Sequence, residues 1–550
     1  MTSKHNINNI NLKNIIYESV LENKQIAFSM CALLSAYWLQ DVVFPNTFSK
    51  FTSNVPKFIS SISFDSVMLI IFPYMIAELG FYINNIIVSS ILPKIELSVV
   101  QKLTTQAIES VKSTKVVLNT NEFIMNLKKV IESKSLYYLV VSNVLPTILI
   151  SIGMIYNFSK ASIKMGGVTL IIMIILFIIT INIERHSVNA SYENEDAMNL
   201  FYDNIQDVIT NADTVITSNS IMKELNNINI EKSDIIDKYA RSDVLASEAA
   251  YELHMISLLA TVFLTGSAIK MNMDGTMPTE LLVSICIMSI LFMQNYNSTI
   301  SKFKNAIHYI GKFYEINDYF AGFKLGPISI INNLKITNGD IEFKNVGISY
   351  GDKKVINNFN YFIKGNTKIG IIGNVGSGKT SLVKTIAGLI DYTGDIFIDN
   401  QNLKLCNYDS IMKYIVYIPQ HPKMFNKDIL YNISYGTSYK EEDIWKFLDK
   451  IHFADFFNGF QKKLKTKVGK EGNKLSGGQK QIISLVRSLL QNKAIILLDE
   501  PTSSLDQQTK TAIIDLLKRI NGKTVLIVTH DESLINLFDD VITIGNKKLN

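Results

Sequence analysis

The apolar positions of this chain are concentrated in its first 300 residues, in long runs separated by polar stretches. Each run approaches the ~20 residues that a helix needs to cross ~30 Å of hydrocarbon. A single run of this kind could equally be a buried helix of a soluble core. Six together, with no charged residue between 166 and 183, predict an all-α membrane domain over 25–320. The six predicted spans are 25–45, 67–92, 136–156, 166–183, 252–270 and 279–298.

Two of the polar stretches between these runs are long, at 93–135 and 184–251. Both are almost free of Gly and Pro, so each predicts a pair of helices that extends beyond the membrane. Lysines are frequent in 93–135, which favours a cytoplasmic position for this connection and for both chain termini. Residues 1–24 mix polar and apolar positions and predict an amphipathic helix on the membrane surface. The sequence leaves open which cellular membrane holds the protein.

The pattern changes after a linker predicted at 321–338, because short apolar strands alternate with helical segments from 339 to 550. Three of these strands end in residues of distinctive chemistry. The strand at 368–372 runs into a glycine-rich loop, the one at 494–498 into two carboxylates, and the one at 524–529 into a histidine. Ligands collect at the carboxyl ends of parallel strands, so this pattern predicts an α/β P-loop NTPase domain with a nucleotide site.

The glycine-rich loop at 373–380 fits G-x-x-x-x-G-K-[ST], the pattern of a phosphate-binding loop. Its glycines let successive backbone N–H groups face one anion, and the following helix presents its N-terminus to negative charge. Lys379 is predicted to reach the β- and γ-phosphates of ATP, and Thr380 to supply a hydroxyl to Mg²⁺. The predicted nucleotide ligands of this region are Gly373, Asn374, Gly376, Ser377, Gly378, Lys379, Thr380 and Ser381.

The other two strand ends supply candidates for catalysis. Asp499 ends an apolar strand and is predicted to face the metal, while Glu500 stands one residue further out, where it can polarise an attacking water. A lone histidine is more often structural than catalytic. The position of His530 at a strand end nevertheless favours a role in the reaction.

A second glycine-rich run, Leu-Ser-Gly-Gly-Gln at 475–479, lies between the phosphate loop and the acidic strand end. With it, the C-terminal third of the chain resembles the nucleotide-binding domain of ATP-binding cassette (ABC) transporters. The loop at 373–380 corresponds to the Walker A motif, and Asp499 and Glu500 correspond to the Walker B aspartate and the catalytic glutamate. The run at 475–479 corresponds to the signature, and 503–506 corresponds to the D-loop, with Ser504 where alanine is common. Gln420 corresponds to the Q-loop glutamine, His530 to the switch histidine, and Tyr350 to the aromatic residue that stacks on adenine.

The resemblance implies a division of labour between two cassettes that pack head to tail around ATP. The signature residues expected to cover the partner's ATP are Ser476, Gly477, Gly478 and Gln479. The residues expected to hold Mg²⁺ are Thr380, Gln420 and Asp499. The residues expected to act in hydrolysis are Glu500, His530, Gln420 and Lys379. Only one set of motifs is present in this sequence, so the working unit is expected to contain two chains. A homodimer is expected, and a heterodimer stays open.

Two features indicate an exporter-type half-transporter, an ATP hydrolase coupled to transport. A membrane domain precedes a single cassette, and 466–472 resembles the exporter X-loop, although Lys470 and Glu471 reverse the usual order of acidic and basic residues. The resemblance also implies one coupling helix in or near 119–123 and a second in the region that begins with 204–209, with ordinary helical hairpins as the alternative.

The transported substrate is predicted only by class, as an amphipathic, lipid or peptide-like molecule; drug-like molecules and metal conjugates stay open. Glu78, inside the second span, is expected either to bind a cationic or polar substrate or to hydrogen-bond to a neighbouring helix. The alternative function is an ATP-gated channel or regulator on the same scaffold, but intact Glu500 and an intact signature favour transport. The net charge of +5 calls for no nucleic-acid partner, and the three cysteines lack metal-ligand spacing.

Overall fold

The computed structural model describes residues 8–53, 64–115, 118–132, 143–325, 332–503 and 505–545. The start of the amphipathic segment, the start of the third predicted span at 136–142, part of the linker and Ser504 lie outside these residues. The chain divides into two compact units, Met1–Pro327 and Ile328–Asn550. The domain boundaries inferred from the sequence stay predictions.

The described part of the first unit is built almost entirely of helices. They are α1 (Leu12–Leu21), α2 (Lys24–Trp38), α3 (Phe44–Ser53), α4 (Phe64–Thr114), α5 (Thr120–Glu132), α6 (Leu145–Ala161), α7 (Ile163–Thr210), α8 (Ala212–Thr217), α9 (Ile221–Met273) and α10 (Thr279–Ala321). A π-helical turn at Leu39–Val43 joins α2 to α3. Helix α4 has 51 residues and is therefore ~75 Å long, more than twice the thickness of the hydrocarbon layer.

Five helical segments of the described chain are long and apolar enough to cross a membrane. They are Lys24–Thr52, Ile70–Ser113, Ile163–Asn182, Ile221–Met273 and Thr279–Lys302. These segments overlap five of the six predicted spans. The remaining one, 136–156, falls partly on α6, which has 17 residues, and partly outside the described residues. The presence of several apolar membrane helices is confirmed, while the count of six stays a prediction.

The outer surface of these helices is apolar. On α7, Ile174, Phe177, Ile178 and Ile181 are all about half exposed, whereas Leu176 is buried against neighbouring helices. An exposed apolar stripe of this length is unfavourable in water and favourable against lipid. The first unit is therefore an integral membrane domain.

Polar side chains join the helices inside the membrane domain. The amide of Asn157 on α6 donates to Asn46 Oδ1 at 3.0 Å and to Ser284 Oγ at 2.9 Å. Buried polar groups are costly in an apolar surrounding unless they find one another, so this network fixes α3, α6 and α10 together. Glu78, the residue predicted to bind substrate or a neighbouring helix, is exposed on α4, and its role stays a prediction.

The N-terminal segment packs against the end of the membrane domain. Strand β1 (Asn8–Asn9) pairs antiparallel with β2 (Lys324–Leu325). Helix α1 buries Leu12 and Ile15 in an apolar cluster that includes residues of α4 and α10. The segment predicted as one amphipathic helix therefore contains a helix only at Leu12–Leu21, after a strand at Asn8–Asn9. The apolar side of this helix contacts protein, and its placement on a membrane surface stays a prediction.

The second unit is an α/β domain with two sheets. Its strands are β3 (Ile341–Tyr350), β4 (Lys353–Ile363), β5 (Lys368–Gly373), β6 (Thr393–Ile398), β7 (Gln401–Asn402), β8 (Ile415–Ile418), β9 (Ile495–Asp499), β10 (Thr524–Val528) and β11 (Asp540–Ile544). A parallel sheet has the order β11-β5-β10-β9-β8, and an antiparallel sheet has the order β4-β3-β6-β7. Every residue of β9 and β10 is buried, as expected for central parallel strands covered on both faces.

The helices of this unit cover the parallel sheet and build a second apolar core. They are α11 (Lys379–Ile386), α12 (Tyr408–Tyr414), α13 (Ile429–Ser434), α14 (Glu441–Lys450), α15 (Ala454–Asn458), α16 (Gly477–Leu490) and α17 (Gln507–Lys518). One core contains Ile371, Leu382 and Leu497, and the other contains Ile433, Phe457 and Ile483. The strands β5, β9 and β10 thus end beside one another, which brings the three predicted strand-end motifs to one edge of the sheet.

Candidate functional site

The phosphate loop leaves β5 at Gly373 and enters α11 at Lys379. Gly378 precedes the helix with φ of +99°, and a Cβ atom there would lie 2.7 Å from Val355 Cγ1. Both the backbone angle and the close contact require glycine at this position. Gly376 also has a positive φ, of +79°, so the loop curls in the way that anion-binding loops require.

The positively charged side chain of Lys379 lies against the backbone of the phosphate loop. The Lys379 side chain is only 5% exposed, and its Nζ donates to the carbonyl oxygens of Gly373 at 3.1 Å and Asn374 at 2.9 Å. The hydroxyl of Ser377 is buried and has no hydrogen-bond partner among the described residues. A buried ammonium and an unsatisfied hydroxyl at a helix N-terminus fit a phosphate group.

Asp499 joins the phosphate loop to the end of β9. The carboxylate is 5% exposed, accepts from Thr380 Oγ1 at 2.8 Å and accepts from the Tyr417 hydroxyl at 3.0 Å. Burial and the adjacent Asp499 carboxylate raise the pKa of Tyr417, which therefore stays a hydrogen-bond donor. Tyr417 was not predicted as a site residue; its position in β8, three residues before Gln420, was the available signal.

The described residues contain no group of three or more His, Cys, Asp or Glu side chains that could hold a metal ion. Mg²⁺ commonly binds through one or two carboxylates together with substrate phosphates. The Thr380 hydroxyl and the Asp499 carboxylate fit that mode. The amide of Gln420 faces Glu500 here, so its part in metal binding stays a prediction.

Glu500 meets two of the predicted catalytic residues. Gln420 Nε2 donates to Glu500 Oε2 at 2.8 Å, and His530 Nε2 lies 3.4 Å from Glu500 Oε1. The backbone of Glu500 is left-handed, with φ of +48°, and its N–H donates to Val528 O at 2.9 Å. A left-handed glutamate is unusual. It turns the chain outward at the end of β9 and aims the carboxylate at residues following β8 and β10.

The signature begins helix α16. Ser476 is the N-cap: its Oγ accepts from Gln479 N at 3.2 Å, and Gln479 Oε1 accepts from Ser476 N at 2.9 Å. This capping box fixes the helix start. Ser476 and Gly477 are exposed, whereas Gly478 faces α17, where a Cβ atom would lie 2.7 Å from Thr509 Cγ2. The start of α16 is thus exposed to solvent, while Gly478 packs closely against α17.

Tyr350, at the end of β3, lies beside the phosphate loop. Its ring is 52% exposed, and its hydroxyl hydrogen-bonds with Ser381 Oγ at 3.0 Å. An exposed ring tethered to the first turn of α11 is placed where a base attached to bound phosphates could stack.

Asp531, next to His530, is a residue that the sequence did not reveal. Burial raises its pKa, but hydrogen bonds from Lys510, Ser533 and Thr502 outweigh that effect and lower the pKa of Asp531 to about 2. Lys510 Nζ lies 2.8 Å from its carboxylate. The bonds hold the segment that carries His530, and no sequence motif links α17 to this position.

Comparison with known proteins fits this geometry. Residues 356–503 match the family profile described as ABC transporter. A protein of Rickettsia bellii, whose name describes it as an export ATP-binding/permease protein, is 26% identical over 399 residues, which cover 70% of this chain and 68% of that protein. Residues 356–503 therefore form an ABC transporter domain. The multidrug resistance-like ATP-binding protein of Buchnera aphidicola is 30% identical over 222 residues, 40% of this chain and 38% of that protein.

The ABC exporter fold extends over nearly the whole chain. A solved structure of a bacterial Atm1-family ABC exporter with ATP bound matches with a TM-score of 0.78 at 18% identity, covering 97% of this chain and 94% of that one. The predicted fold, a helical membrane domain followed by an ABC cassette, is confirmed. The matched profile and the export ATP-binding/permease relative indicate an ATPase coupled to transport, and export in the general sense.

Proposed function

We propose that two copies of this chain form an ATP-driven exporter in which each cassette completes the ATP site of the other. One observation carries the proposal: Glu500, Gln420 and His530 meet near the phosphate loop, while Ser476 and Gly477 stand exposed on a separate helix start. Each chain therefore offers a hydrolytic half-site and a covering half-site.

The hydrolytic half-site assigns distinct tasks to its residues. Lys379 and the backbone N–H groups of 373–380 bind the phosphates, and Ser377 gains a partner for its buried hydroxyl. Thr380 and Asp499, together with Gln420, would hold Mg²⁺, and the ion would neutralise charge on the phosphate oxygens. Tyr350 stacks on the base.

Glu500 polarises the attacking water. Its carboxylate is fixed by Gln420 on one oxygen and approached by His530 on the other, so it is held in one orientation. A fixed carboxylate close to the phosphates can take a proton from water as the water oxygen bonds to the γ-phosphorus and the bond from that phosphorus to the departing ADP oxygen breaks. Gln420 and His530 act by orienting this group.

The covering half-site uses the N-terminus of α16. The positive end of a 14-residue helix and its free N–H groups favour an anion, here the phosphates held by the partner chain. Glu500 and the signature are both intact in this chain. Two identical chains therefore suffice for two competent sites, which favours a homodimer over a heterodimer.

Bound ATP supplies part of the interface between the two cassettes, and hydrolysis removes that part of the interface. The two cassettes therefore approach and separate once in each cycle of ATP binding and hydrolysis. We infer that this movement drives alternating access of the membrane helices, with both termini on the cytoplasmic side. The substrate class predicted from the sequence, an amphipathic lipid or peptide-like molecule, is part of the same proposal.

The experiment is ATP hydrolysis by the purified protein in lipid nanodiscs across a panel of lipids, peptides and charged amphiphiles. At least one amphipathic compound should stimulate turnover severalfold and be moved into proteoliposomes. The Glu500→Gln variant, which we expect to bind ATP without turnover, is the control for passive leak. Stimulation by none of the classes, or ATP-dependent ion conductance that persists in Glu500→Gln, would replace the exporter by the gated-channel alternative.

A further inference from the structure

Gln481 connects the signature helix to the catalytic carboxylate of the same chain. It lies one turn after Gly477 on α16, and its side chain is 4% exposed. Its Nε2 donates to the backbone carbonyl oxygen of Gln420 at 2.7 Å. The Gln420 side chain in turn donates to Glu500 Oε2 at 2.8 Å. Two consecutive hydrogen bonds thus run from the covering half-site to the hydrolytic half-site.

The first bond controls the second for a geometric reason. Gln420 follows β8, and a loop residue has freedom to rotate its peptide plane unless something fixes it. The Gln481 amide holds the carbonyl of Gln420, which sets the direction in which the Gln420 side chain leaves the backbone. That direction places the donor against Glu500 and against Ser503 Oγ, which lies 3.2 Å away.

Helix α16 is stiff enough to transmit a displacement over this distance. Ser476 and Gln481 are separated by five residues, a rise of ~7.5 Å along the helix. The capping box holds the first turn in helical form, and most of the helix is buried in the second apolar core. A displacement of the exposed start of α16 therefore displaces Gln481 as well, because the helix bends little between the two positions.

We propose that Gln481 is a positioning residue that relays the placement of the signature helix to Gln420 and Glu500. This rests on the proposed function, in which Ser476 and Gly477 cover the partner's ATP. Closure of the signature on one ATP then sets Glu500 for hydrolysis of the other. The two sites of the dimer are coupled through a hydrogen bond within each chain.

The test uses Gln481→Met in the full-length protein, with Gln491→Met as the matched control. Gln491, just after the same helix, also donates its amide to a backbone carbonyl, that of Tyr435 at 2.9 Å, away from Glu500. We expect Gln481→Met to lower kcat about tenfold, to leave the KM for ATP within about twofold, and to reduce the Hill coefficient for ATP from above 1 toward 1. Gln491→Met should keep all three near wild type.

A double-variant cycle separates the relay from general damage. In the Gln420→Ala background the path to Glu500 is already broken, so adding Gln481→Met should cost less than about twofold further. Gln481→Asn, which withdraws the amide by one methylene but keeps a polar group, should reproduce the kinetics if the Met variant folds poorly. Thermal unfolding checks that each variant is folded.

The relay is overturned by wild-type kcat in both Gln481 variants, by equal losses in Gln491→Met, by full additivity with Gln420→Ala, or by unaltered ATP cooperativity. These outcomes leave the proposed function intact so long as the wild-type protein hydrolyses ATP and Glu500→Gln does not. If Glu500→Gln retains turnover, the proposed function itself fails, and the two results are therefore distinguishable.

Discussion

Replacing Glu500 by glutamine should remove the chemistry of the site while leaving its geometry in place. The side chains have the same size, and glutamine still offers one oxygen to Gln420, whose amide now lies 2.8 Å from Glu500 Oε2. The second oxygen, 3.4 Å from His530 Nε2, becomes an amide nitrogen. The site loses its base and gains at most one strained contact.

The expected loss follows from the role of the carboxylate. A positioned general base commonly contributes 10²–10⁴-fold to a rate, or about 3–5 kcal/mol of barrier. We expect kcat to fall by that factor with ATP binding preserved, because Lys379 and the phosphate loop are untouched. ATP should then accumulate in the dimer and hold the cassettes together.

The assay combines steady-state phosphate release with size-exclusion chromatography and cross-linking of the cassettes in ATP and Mg²⁺. Asp506→Asn is a useful comparison because Asp506 also bears a carboxylate in this region but caps α17. A Glu500→Gln protein that turns over ATP within about threefold of wild type would refute the assignment. Rapid turnover with an unchanged dimer population would refute the trapping argument as well.

Three further predictions use other parts of the cassette. Lys379→Ala should reduce ATP turnover at least about 100-fold through the lost phosphate contact, whereas Lys384→Ala on the same helix should not. Radiometric assays of ATP binding and hydrolysis measure both variants, and equal losses in the two variants would contradict the prediction. Tyr350→Ala should raise the KM for ATP about fivefold, worth on the order of 1 kcal/mol of stacking, and Tyr350→Phe should restore it; an unchanged KM removes Tyr350 from the site. Asp531→Asn should lower stability by about 1–2 kcal/mol at pH 7. Because the native pKa of about 2 lies below the ordinary ~3.9, the stabilisation is complete above pH ~4 and is lost as pH falls toward 2, so thermal unfolding curves of variant and wild type should converge on acidification.

The parallel sheet and its strand-end motifs were predictable because buried parallel strands are almost continuously apolar. The strand predicted at 368–372 is β5 (Lys368–Gly373), and Glu500 and His530 follow β9 and β10 as the pattern required. Membrane helices were predictable for a related reason, since their length is set by the bilayer rather than by distant contacts.

The residues that hold the catalytic groups were not predictable, because they depend on contacts between distant parts of the chain. Asp531 is held by Lys510 on α17, and Asp499 by Tyr417 on β8. The pairing of β1 with β2 joins strands of only two residues each, too short to show any alternation. Local pattern therefore located the candidate reacting groups, whose roles stay predictions, and only the tertiary structure showed which residues contact them.

The ribbon of β1 and β2 also imposes an order on biosynthesis. Residues 8 and 9 cannot pair until 324 and 325 have left the ribosome, which at ~5–20 residues per second takes about a quarter of a minute to a minute. Throughout that interval the Ile10 N–H, which donates to Phe323 O in the folded protein, lacks this acceptor. Strand β1 is thus fastened only after the intervening helices of the membrane domain have been synthesised.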